Sequence, residues 1–107
     1  MTDYSKLSDD EINSRVAETL PIRFTYYSDY IWNTEDECRF APCDNPSEAW
    51  PIILSNLIAL KPVKLYVGGH RWFASKGDGD FGLKFADDNP LRAAMIVYLM
   101  MKESENG

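Results

Sequence analysis

Cys38-Arg39-Phe40-Ala41-Pro42-Cys43 sets two thiols in a C-x4-C spacing, which supplies half of a tetrahedral zinc site. A closed structural site needs four ligands, and beyond this pair the chain has one histidine, His70, and carboxylates. The same residues could pair a cysteine nucleophile with His70 as its base, which needs the fold to bring together positions about thirty residues apart. Two reduced thiols, one of them packed as a small hydrophobe, ask less of the chain. The expectation is therefore no metal, no cofactor and no identified catalytic residue.

His70 falls at the tip of a hairpin or the start of a strand, where a solvent-facing histidine is ordinary. Asp78-Gly79-Asp80 has the flavour of a calcium loop, but the Gly at position six and the closing bidentate Glu of an EF-hand are missing. Gly and Asp are what a tight turn requires in any case. Gly68-Gly69 reads as a turn, since no helix follows it to complete a phosphate cradle. The G-x-S-x-G, H-E-x-x-H and P-loop patterns are absent from the sequence.

The most suggestive set is aromatic. Tyr26, Tyr27, Tyr30 and Trp32 fall within seven residues, beside Asp29, Glu35, Asp36 and Glu37. Tyr and Trp concentrate in interface hot spots, and an acidic rim around them suits a basic partner. The competing reading is that these rings complete a core. With His70, these four rings are the expected binding residues.

Three helices and a small sheet would position these groups. Ser8 and Glu11 have capping-box spacing, Leu7 and Ile12 form a hydrophobic staple, and Ile12, Val16 and Leu20 make one apolar stripe that Pro21 ends. Arg23 to Tyr27 predicts a short strand, and the acidic residues after it read as a loop. Asp44-Asn45-Pro46 and Asp88-Asn89-Pro90 each predict a helix start, with Asn as cap and Pro in the first turn. Capping chemistry explains the repeat more simply than duplication does. Pro51 predicts a kink or a restart in the second helix, whose Trp50, Ile53, Leu54 and Leu57 would face the core.

Val63, Leu65 and Val67 alternate with Lys64 and Tyr66, then Gly68-Gly69 leads into His70 to Ala74, which reads as a β-hairpin turning on the two glycines. Phe81, Leu83 and Phe85 give a third run. From Pro90 to about Glu103 the last helix is apolar nearly all round, so it belongs at the centre, with Met95, Ile96, Leu99 and Met100 buried. The fold class expected is α+β: three helices and a small antiparallel sheet of about three strands, in one domain over 1–107.

Seventeen acids against eleven bases give a net charge of -6 over 107 residues. Such a field repels phosphate backbones and anionic lipid, which argues against non-specific nucleic-acid binding, while leaving room for a local basic patch. The first twenty residues lack a basic segment followed by an apolar core, and the longest apolar run, Ala93 to Met101, is about half a membrane span. Two cysteines are too few for a disulfide framework in a chain of this size. A cytosolic protein without a membrane span is expected.

Three blocks carry a family resemblance: Asp3-Tyr4-Ser5-Lys6-Leu7-Ser8-Asp9-Asp10-Glu11-Ile12-Asn13, then Asn45-Pro46-Ser47-Glu48-Ala49-Trp50-Pro51-Ile52-Ile53, then Asn89-Pro90-Leu91-Arg92-Ala93-Ala94-Met95-Ile96-Val97-Tyr98-Leu99-Met100-Met101. Together they resemble the NinX-like proteins of phages and prophages. The resemblance implies a small accessory protein made in the bacterial host cytoplasm, and it brings no assigned activity or catalytic residues. The expected function is a non-catalytic binding module for a host or phage protein, with a second copy of the chain another candidate partner. The alternative is a small-molecule or nucleotide-related enzyme whose site lies near the helix starts at Asn45 and Asn89, because helix N-termini attract anions. A third reading, acidic mimicry of nucleic acid, requires the carboxylates to follow phosphate spacing.

Overall fold

The structure, a computed structural model, describes residues 3–77 and 82–106. The first helix forms where its caps require. Asp3 closes a 3-10 turn over Tyr4–Lys6, and α1 follows at Asp9–Thr19. Ser8 Oγ accepts from Glu11 N at 3.2 Å and the Glu11 carboxylate accepts from Ser8 N at 3.2 Å, so the capping box is complete. Ile12 and Val16 are buried and Leu20 is partly so, with Asn13 and Ala17 widening the stripe that meets the last helix.

The stretch after Pro21 holds more structure than its polarity suggests. Strands β1 (Phe24–Tyr26), β2 (Ile31–Asn33) and β3 (Cys38–Arg39) form an antiparallel sheet in that order. The expected strand over Arg23 to Tyr27 is β1. The second and third strands lie in what reads as an acidic loop, and Asn33 explains them. Its side chain is buried, its Oδ1 accepts from Glu35 N and Asp36 N at 3.0 Å each, and its Nδ2 donates to Asp36. One amide thus folds the acidic residues into a tight turn between β2 and β3.

Helix α2 (Pro46–Ser55) starts where expected, with Asn45 Oδ1 accepting from Ser47 N at 3.1 Å. It runs unbroken through Pro51, so the expected restart does not occur. The bond that Pro51 deletes would have ended on Ser47, an exposed residue one turn into the helix, where water can serve the carbonyl. The expected core face needs a larger correction. Ile53 is buried, but Trp50, Leu54 and Leu57 are 53%, 55% and 77% exposed. The buried stripe is Ala49, Ile52 and Ile53, because small Ala49 lets α2 approach the last helix on that side and turns Trp50 outward.

Strands β4 (Ala59–Lys64), β5 (His70–Lys76) and β6 (Leu83–Asp87) form the second antiparallel sheet, the one the sequence predicts. The hairpin turns on more than the two glycines. Leu65 to Gly69 form its loop, with Leu65 N donating to Gly69 O at 3.1 Å and Gly68 N to Leu65 O at 3.2 Å. Gly68 and Gly69 take φ of 97° and 78°, which side-chain-bearing residues rarely adopt. Tyr66 and Val67, expected in the strand, sit in that loop and are fully exposed. The turn residues 78–80 and Phe81 lie outside the described residues.

Helix α3 (Pro90–Asn106) is the centre of the fold. The second sheet packs on one side of it, chiefly through β5 and β6, and α1 and α2 pack on the other. Ala93 through Leu99 are all buried, which accounts for the missing polar face; Met100 is only partly covered. The architecture is α+β, three helices with two three-stranded sheets among the described residues.

Candidate functional site

The register of the first sheet sorts its aromatics by face. Phe24 pairs with Asn33 and Tyr26 with Ile31, and these residues face the core or its margin. Thr25, Trp32 and Arg39 form one cross-strand row, so they share the opposite face. Tyr27 N donates to Tyr30 O at 2.9 Å, closing a hairpin on Ser28 and Asp29 and adding the two flanking rings to that face.

There the groups stack. The Tyr27 and Tyr30 ring centroids are 4.7 Å apart with planes 21° from parallel, and the Arg39 guanidinium carbon lies 4.5 Å from the Tyr30 centroid. A cation, a ring and a second ring form three layers, an arrangement both stacking and quadrupole attraction favour. Tyr27 is 52% exposed, while Tyr30 and Trp32 are half-buried. Tyr26, 50% exposed, points to the other face; desolvation first, and the Glu18 carboxylate second, push its phenol up.

Beside the stack a cleft of about 260 Å³ lies between the hairpin and α1, lined by Asn13 and Ser14 and by the carboxylates Asp10, Asp29 and Asp44. Three carboxylates and one guanidinium are among the lining groups, and the Arg39 guanidinium lies over Tyr30. A rigid aromatic surface with a negative rim can hold a basic side chain by stacking and by charge. Sequence reasoning missed Arg39, Asp10 and Asp44. They reach the site by strand pairing and helix packing, for which local periodicity holds no signal.

His70 is not part of this assembly. It is exposed at the start of β5, opposite Lys64, in the other sheet. Asn45 and Asn89 are occupied as caps. Asn89 Oδ1 accepts from Leu91 N at 2.9 Å while its Nδ2 donates to Cys43 O at 2.7 Å, and Cys43 N donates to Asn13 Oδ1 at 3.1 Å. That buried chain joins α1, the loop before α2 and the start of α3.

Neither thiol has the lowered pKa an activated nucleophile needs. Cys43 is buried, and burial, followed by the Asp9 carboxylate, pushes its thiol up to about 12. Cys38 is exposed, and desolvation with the Glu48 and Asp36 carboxylates raises it too. Among the described residues no group of three or more His, Cys, Asp or Glu side chains is placed to hold a metal, and no helix is long and apolar enough to cross a membrane.

Compared with known protein families, residues 3–102 match the family described as "Bacteriophage P22, NinX". No curated protein and no solved structure matches the chain.

Proposed function

The chain belongs to the NinX family of phage proteins, and from that premise we propose that it is a phage or prophage accessory protein that works by binding, without catalysis, a host or phage protein in the bacterial cytoplasm. The observation that carries the reading is the layered stack of Arg39, Tyr30 and Tyr27, open to solvent beside Trp32 and rimmed by Asp10, Asp29 and Asp44. Rigid rings lose little entropy on contact, and the rim favours a partner that presents lysine or arginine. The partner class is therefore a basic protein surface. Tyr26 and His70 fall outside this face and contribute little to the contact.

The enzyme alternative near Asn45 and Asn89 draws little support from the geometry. Both side-chain oxygens accept N–H groups of the helices they cap, and Asn89 Nδ2 donates to the Cys43 carbonyl. Affinity capture from host cells with tagged wild type and a Tyr27→Ala, Trp32→Ala variant tests the proposal. A basic protein retained by the wild type and lost by the folded variant is expected. Equal retention by both would overturn it.

A further inference from the structure

The second sheet has two unlike faces. Leu60, Ala74, Leu83 and Phe85 pack toward α3. The opposite face carries Lys61, Arg71, Phe73 and Lys84, all exposed, with Phe73 44% open to solvent. Register fixes their layout. Lys61, Phe73 and Ala86 form one cross-strand row; Lys84 lies in the next row beside Ser75, and Arg71 in the row on the other side beside Val63. Arg71 reaches across the sheet to donate to Ala86 O at 3.4 Å. One exposed aromatic ring thus has three exposed cations around it on this face.

The charged residues of the second sheet's strands are nearly all basic. Of the cations on β4, β5 and β6, Lys61, Arg71 and Lys84 share the outer face, while Lys64 and Lys76 fall in the rows of the other face with Asp87, which pairs with Arg92 at 3.2 Å. The net charge of -6 therefore arises elsewhere. With a screening length of about 10 Å at 0.1 M salt, the charges within that distance of the face dominate what it attracts.

We propose that the outer face of β4, β5 and β6 binds single-stranded nucleic acid, with a base stacked on Phe73 and phosphates held by Lys61, Arg71 and Lys84. Backbone charge alone would equally suit an acidic polypeptide. The exposed ring decides between them, because a base offers it a π-face and a run of carboxylates does not. A sheet face with an exposed ring suits stacked, splayed bases, whereas a duplex hides its base faces. This surface lies on a different sheet from the aromatic stack, so the two proposals stand or fall separately.

The test is fluorescence anisotropy of a labelled oligothymidylate against the full chain, titrated at several salt concentrations, with Phe73→Ala, Arg71→Ala and a Lys61→Glu, Arg71→Glu, Lys84→Glu variant. Wild type is expected to bind with a slope of log affinity on log salt near about -2, since each phosphate contact on a single strand releases about 0.7 of a counterion. Phe73→Ala should weaken binding about tenfold, the loss of one stacked base. Arg71→Ala should flatten the salt slope, and charge reversal should abolish binding. No binding by wild type at low salt would overturn the proposal. So would equal displacement by polyglutamate with Phe73→Ala unchanged, which would mark a face that reads charge only. Should the charge-reversed chain misfold, Phe73→Ala and the salt slope decide alone.

Discussion

Arg92 Nη1 lies 2.7 Å from Asp9 Oδ1, tying the first turn of α3 to the first turn of α1 across most of the chain. The same guanidinium donates to Asp87 at 3.2 Å and to Leu7 O at 2.6 Å, so a side chain only 13% exposed holds the end of β6, the approach to α1 and the central helix together. Its donors are nearly all spent, as a charge withdrawn from water requires.

Arg92→Met should therefore cost about 2–3 kcal/mol, because it takes the cation from Asp87, which keeps only its bond from Asn89 N, and the donor from the Leu7 carbonyl. Asp9→Asn should cost under about 1 kcal/mol, since Asp9 is substantially exposed and Arg92 keeps its other partners. Urea melts of the two variants check the order. A larger loss for Asp9→Asn would contradict it.

Leu57 sits just past α2 at φ 54°. Ile58 N donates to Ile53 O at 3.1 Å and Leu57 N to Leu54 O at 3.3 Å, the paired bonds of a Schellman cap whose left-handed position usually belongs to glycine. Leu57→Gly should stabilise the chain by about 0.5–1 kcal/mol, relief of the left-handed strain exceeding the added flexibility of the unfolded chain. The leucine side chain is 77% exposed, so little burial is lost. A thermal melt showing destabilisation beyond about 1 kcal/mol would mean that this leucine packs.

These positions also show where sequence reading succeeds and where it stops. Ser8, Glu11, Asn45 and Asn89 act within one helical turn, so their caps were legible. The second sheet was legible from alternation in the runs that became β4 and β6 and from the glycine pair before β5, apart from the position of the hairpin turn. β2 and β3 were not, because they depend on the Asn33 amide being buried, which other elements bring about. In α2 the stripes Trp50, Leu54, Leu57 and Ala49, Ile52, Ile53 both satisfy helical periodicity, and contact with α3 chooses between them. The aromatic half of the candidate site stood out by composition. Arg39, Asp10 and Asp44 join it only through tertiary pairing.

Cys43 gives a pH dependence of definite sign. Its thiol is raised by burial from an ordinary value near 9 to about 12 in the folded chain. The unfolded chain loses this proton first, so the contribution to stability is complete below about pH 9 and is lost as pH rises toward 12. Denaturant melts between these limits should show falling stability in wild type and a shallower fall in Cys43→Ala, measured from that variant's own baseline. Parallel slopes would contradict this assignment.

Calorimetric titration of the captured partner against four proteins of verified fold, wild type, Tyr27→Ala, Trp32→Ala and His70→Ala, decides whether the Tyr27–Tyr30–Arg39 layer beside Trp32 is a binding face. A loss of about 2 kcal/mol or more in binding is expected for at least one of the two aromatic variants, with His70→Ala indistinguishable from wild type. Full affinity in both aromatic variants, or a loss confined to His70→Ala, would contradict it.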